Sequence, residues 1–209
     1  MRRNPRVHLV VPGDLPRLLP TCQGHGNLDG LLQDPSASWA RAAMDQWGLC
    51  GAALLDDQAQ PCAQMMICPG LQLPTGHPLV NWSKTPEAAY LLALVTTPAS
   101  DPRPTAEDPR VKVLVQALAR QLSGQVATVE AAARRESGTC LEPPSAWLAA
   151  AGFTVVPEAR ADGRVRMRLD LESTVRWRPG LGRARALLEG LVPRPLPPVE
   201  PTGRDGQGS

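Results

Sequence analysis

Apolar residues recur along this chain at two spacings, one alternating and one helical, and the changes between them divide it into elements. Residues 6–11 alternate well enough for a first strand, and Asp14 caps a short helix reaching about Leu19. Residues 21–35 are rich in Gly, Asn and Asp and read as loop. Trp39, Ala42, Ala43 and Trp47 then fall on one helical face, which Gly48 ends. Two apolar runs, 49–55 and 62–68, are joined by Asp56, Asp57 and Gln58 and read as a hairpin. A long irregular connection, 69–85, leads to residues 90–96, apolar nearly throughout, as in a strand buried on both faces.

The second half repeats the alternation of elements. After a Pro-rich loop, 97–108, Asp108 and Pro109 make a helix start of cap plus first-turn proline. Val111, Leu114, Val115, Leu118 and Leu122 form one apolar stripe, with Lys112, Gln116 and Arg120 opposite. Residues 125–131 read as a strand and 145–151 as a short helix closed by Gly152. In 164–171, Val165, Met167, Leu169 and Leu171 alternate with Arg164, Arg166, Arg168 and Asp170, as in a half-buried antiparallel strand. A last helix is expected within 181–191, and the Pro- and Gly-rich residues 193–209 are expected to be disordered. This order predicts an α/β (α+β) fold with a mixed central sheet flanked by helices. The expected division is a main domain over 1–178, a C-terminal helix over 179–192 and a tail over 193–209.

Composition changes this picture little. The chain has 209 residues, 43% of them hydrophobic, enough for a substantial core. A net charge of +2 demands neither nucleic acid nor a membrane as partner, and no stretch approaches a transmembrane span. The apolar run after Arg2, Arg3 and Arg6 stops at Pro12, too short for a signal peptide, so a cytoplasmic location is expected. Five cysteines at irregular spacings suggest no disulfide framework. Cys22 and His25 lack a second pair at ligand spacing, so no metal site is expected. Cys140 has the chemistry of an acid or nucleophile, though a free cysteine is more often a small buried hydrophobe. Arg164, Arg166, Arg168, Arg176 and Arg178 could stripe a surface for nucleic acid; a solvated strand face is the commoner reading.

Over roughly residues 5–178 the chain resembles the GNAT acetyltransferase superfamily. The resemblance rests on the 90–96 strand, the helix from Pro109 with Leu114-Val115-Gln116-Ala117, and the strand over 126–131. It continues through Ala146-Trp147-Leu148-Ala149-Ala150-Ala151-Gly152-Phe153 and the strand over 165–171. It implies a GNAT-like sheet and transfer of an acetyl group from acetyl-CoA, as co-substrate, to an amine. In that family backbone N–H groups of a glycine-rich turn and a helix N-terminus cradle the pyrophosphate. The pantetheine arm lies along the central strand, and an acid protonates the leaving thiolate. Here Val95 and Thr96 would offer backbone groups to pantetheine, and Arg103, Arg110 and Lys112 would meet the phosphates. Glu130, or a water, would take the proton; a solvated strand end is the commoner reading of such a residue.

Two departures stand out. There is no glycine between Leu94 and Ser123, and Pro102, Pro104 and Pro109 each remove an N–H donor. Leu148 stands where the family often has a tyrosine. The alternative expectation is therefore a non-catalytic module of the same fold that binds a ligand or a protein partner.

Overall fold

The computed structural model describes residues 6–18, 32, 34–85, 87–96, 108–135, 138–157 and 163–172. Seven strands are β1 (Arg6–Val10), β2 (Gly51–Leu55), β3 (Pro61–Pro69), β4 (Ala88–Thr96), β5 (Thr128–Arg134), β6 (Thr154–Val155) and β7 (Arg164–Asp170). They form one sheet in the order β1-β2-β3-β4-β5-β7-β6, and only the β4–β5 pair is parallel. Among the described residues three helices flank it: α1 (Ser38–Trp47), α2 (Pro109–Leu122) and α3 (Ser145–Ala150). The mixed central sheet flanked by helices is the architecture that the sequence predicts.

Each helix lies where its apolar face directs it. α1 packs on β3, burying Trp39, Ala40, Ala43 and Trp47, and ends at Gly48 with φ +74°, a conformation glycine adopts without strain. Ala40 takes the core place expected of Ala42, which is half buried. α2 lies over β2 and β3 and buries the whole predicted stripe; α3 sits beside it against β5 and β7. Leu92, Leu54, Ile67 and Leu114 are buried at the centre.

Two boundaries differ from expectation. The helix expected after Asp14 is a 3-10 turn, Pro12–Arg17, because Pro16 within it cannot donate an N–H. β5 starts at Thr128 rather than 125. The N–H groups of Gln125 and Val126 both return to the Leu122 carbonyl, at 2.8 and 3.1 Å, and so close α2 before the chain extends. The expected helix over 181–191 and the tail over 193–209 lie outside the described residues. Among the described residues no helix is long and apolar enough to cross a membrane.

Candidate functional site

The parallel junction of β4 and β5 is short. Ala88, Ala89 and Tyr90 pair with Thr128, Val129 and Glu130, and beyond them no β4 residue pairs with β5. The β3 side contributes to the divergence. Met66 pairs with Ala93 and Ile67 with Leu91, so Leu92 is the extra residue of a bulge, which bends the strand. The two strands thus open into a V towards Thr96 and Arg134.

This V is occupied by the chain itself. The Leu94 N–H donates to the Cys140 carbonyl at 2.8 Å, and the Arg134 N–H donates to the Pro143 carbonyl at 3.1 Å. Residues 139–142 close a tight turn between these bonds, with the Thr139 N–H on the Glu142 carbonyl and the Glu142 N–H on Thr139 Oγ1. Strand alternation turns Val95 backbone groups to β3 and those of Thr96 to the open edge. The bulge carbonyl is satisfied as well. His77 Nδ1 accepts from the Leu79 N–H at 3.2 Å, which leaves the proton on Nε2 to bond the Leu92 carbonyl at 3.0 Å. Burial pushes the His77 pKa down to about 4, against the opposing pull of that carbonyl and the Glu142 charge.

The N-terminus of α2, beside the same opening, is closed by its own cap. Asp108 is buried, and its Oδ1 accepts the Arg110 N–H at 2.9 Å. The Val111 N–H is taken by the Asp108 carbonyl at 3.0 Å, and Pro109 has no N–H to offer. The Arg110 guanidinium folds back onto the same carboxylate, with Nη2 to Oδ2 at 2.6 Å, and reaches the Cys62 carbonyl with Nη1 at 3.3 Å. The Asp108 hydrogen bond holds the Arg110 pKa above its usual value.

Glu130 lies at the closed end of the V and has no exposure. Its Oε2 accepts from Arg166 Nε at 2.9 Å and Nη2 at 2.5 Å. Its Oε1 accepts from Arg168 Nε at 3.1 Å, Arg168 Nη2 at 2.8 Å and the Thr85 hydroxyl at 2.6 Å. Thr85 is held further: its N–H donates to Tyr90 Oη at 2.7 Å, and Arg166 and Arg168 Nη2 both reach its Oγ1. A parallel arrangement joins Arg134 and Arg164 to buried Glu142. The arginine face of β7 is therefore no solvated stripe. Arg166 is 4% exposed, and its charge is met by a carboxylate that sequence spacing places 36 residues away.

At the start of β4 lies a pocket of about 600 Å³, bounded by α1, the 3-10 turn Gly70–Gln72 and Lys84, Thr85, Glu87 and Ala88. Gly70 forms part of its wall, and a Cβ there would come within 2.6 Å of the Tyr90 ring. Among the described residues no cluster of His, Cys, Asp or Glu could hold a metal.

The structure brings only some of the sequence candidates together. Val95, Thr96 and Arg110 gather at one end of β4, since Arg110 bonds Cys62, the neighbour of the Ala63 that pairs with Thr96. Lys112 is exposed on the first turn of α2. Glu130 pairs with Tyr90, six residues down β4, roughly 20 Å away at strand rise. Arg103, Cys22, His25, Arg176 and Arg178 lie outside the described residues. Sequence reasoning missed His77, Thr85 and Glu142. Their only signal was membership of loops, and long loops carry such residues often.

No protein-family model matches the chain, and no curated protein matches it in sequence. Solved structures do. A spermidine N-acetyltransferase SpeG chimera from Vibrio cholerae and hSSAT aligns at 12% identity and TM-score 0.44, over 83% of this chain and 99% of that one. The GNAT family N-acetyltransferase YhbS from Escherichia coli, in complex with CoA, aligns at 15% identity and TM-score 0.45, over 82% and 83%. Chaetomium thermophilum Naa20, in complex with a bisubstrate analogue, aligns at 16% identity and TM-score 0.44, over 82% and 90%.

Proposed function

We propose that this chain is a GNAT-like protein that binds without transferring an acetyl group. The observation that carries this is the filling of the β4–β5 opening. Leu94 and Arg134, on its two edges, already spend their N–H groups on Cys140 and Pro143, where an extended pantetheine arm would need them. The self-capped start of α2 agrees, because the Arg110 and Val111 N–H groups both bond Asp108, whose carboxylate would also repel a phosphate. Cys50, Cys62, Cys68 and Cys140 are thiols rather than disulfides, which suits a cytoplasmic setting.

A second reading is supported by the V itself and the Leu92 bulge. In it, acetyl-CoA enters after residues 139–144 withdraw, Val95 and Thr96 line the arm, and Arg103, Arg110 and Lys112 meet the phosphates. The acceptor nitrogen attacks the thioester carbonyl, the C–S bond breaks, the thiolate takes a proton, and a water receives the proton from nitrogen. Calorimetric titration of the full chain with acetyl-CoA separates the two. The first reading expects no saturable heat at millimolar cofactor. Saturable binding accompanied by release of free CoA thiol in the presence of amines would overturn it.

A further inference from the structure

The pocket at the start of β4 combines an apolar lining with two opposite charges at its rim. Ala42, Pro69, Gly70, Leu71 and Ala88 supply apolar surface. Gln46 and Gln72 add neutral amides, and Lys84, Thr85 and Glu87 form one stretch of wall. Among the described residues neither the Lys84 nor the Glu87 side chain has an ion-pair partner. A volume of about 600 Å³ lies in the ordinary range of small-molecule sites, where a few polar groups orient an otherwise apolar ligand.

Two further observations set this wall apart from chance surface. Thr85, between the charges, is fixed by Tyr90, Glu130, Arg166 and Arg168, all reaching it within 3.3 Å. A buried charge network that converges on one loop threonine holds that loop in a single place before any ligand arrives. Glu87 has φ +62°, left-handed backbone that is costly for a residue with a β-carbon, and its carbonyl is held by the Ala127 N–H at 3.3 Å. Such strain collects at ligand sites, where surrounding structure enforces it.

We propose that this pocket binds a small zwitterion with an apolar body, of the chemical class of a free α-amino acid with an aliphatic or aromatic side chain. The body fills the space over Ala42, Leu71 and Ala88; Lys84 meets the carboxylate and Glu87 the ammonium. Lys84 and Glu87 are three positions apart in the chain, so their Cα atoms are at most about 11 Å apart. The site lies at the start of β4, by the closed end of the V rather than at its opening towards Thr96 and Arg134, and its test is separate from the acetyl-CoA titration.

The test is calorimetry on the full chain with L-leucine and L-phenylalanine, beside L-leucinamide, which lacks the carboxylate, and 4-methylpentanoate, which lacks the ammonium. The expected result is saturable binding of at least one amino acid, weakened at least about tenfold in either truncated analogue. Lys84→Met should abolish the preference for L-leucine over L-leucinamide, and Glu87→Gln that over 4-methylpentanoate. Both residues are exposed, and unchanged urea midpoints would confirm folded variants. Absence of heat with both amino acids at tens of millimolar overturns the proposal. So does equal binding of 4-methylpentanoate or L-leucinamide, or binding indifferent to both substitutions.

Discussion

At Glu130 five donors from three side chains surround one carboxylate that water does not reach. Such a group stabilises by compensating charges already buried around it, and its loss strands them. Arg166 suffers most, because its side chain is only 5% exposed, whereas that of Arg168 is 37% exposed and can turn to solvent. Glu130→Gln is therefore expected to cost on the order of 3–5 kcal/mol in urea unfolding at neutral pH. Arg168→Gln should cost about 1 kcal/mol or less. Equal and small costs would return Glu130 to the solvated strand end that its sequence position suggests. The residue was visible in the sequence as a charge on a strand, but its partners were not. Arg166 and Arg168 lie 36 and 38 residues away and meet it only because β7 pairs with β5 in one register, and Thr85, 45 residues away, because β4 pairs with β5 on the other side.

Helix α2 shows the reverse case. Its cap, first-turn proline and apolar stripe are all local, and the structure has it over Pro109–Leu122, the limits that periodicity and capping predict. What the local pattern did not reveal is how completely the cap is used. Asp108 serves the Arg110 N–H, the Arg110 guanidinium and, through its carbonyl, the Val111 N–H. Asp108→Ala should lower stability by about 1–2 kcal/mol, read as a fall in the urea midpoint. A negligible change would show that the cap is dispensable. β7 lies between these cases. Its alternation was plain, yet the arginine face was expected to be wet, since nothing local says that Thr85, Glu130 and Glu142 come to lie against it.

At the scale of the whole molecule, His77 makes stability respond to acid. Its pKa falls from 6.5 to about 4 on folding because the imidazole is buried in the neutral form. The folded value lies below the unfolded one, so the unfolded chain takes up the extra proton between those limits. The stabilisation is complete above pH 6.5 and is lost as pH falls towards 4, by up to about 3 kcal/mol. Asp14 and Asp34, lowered from 3.8, act below this window. His77→Gln should flatten the urea midpoint between pH 6.5 and 4, and an unchanged slope would place the effect elsewhere.

The sequence by itself determined the element order, the amphipathic helices α1 and α2 and the mixed sheet, because periodicity, caps and prolines act over a few residues. Tertiary structure decided the fate of the opening between β4 and β5. Whether that V stands open depends on where residues 139–144 and His77 come to rest, and backbone groups of Leu92, Leu94 and Arg134 find those partners only once the sheet is assembled. A buried N–H or carbonyl must be satisfied by something. Local sequence names the group, and only the folded chain names its partner.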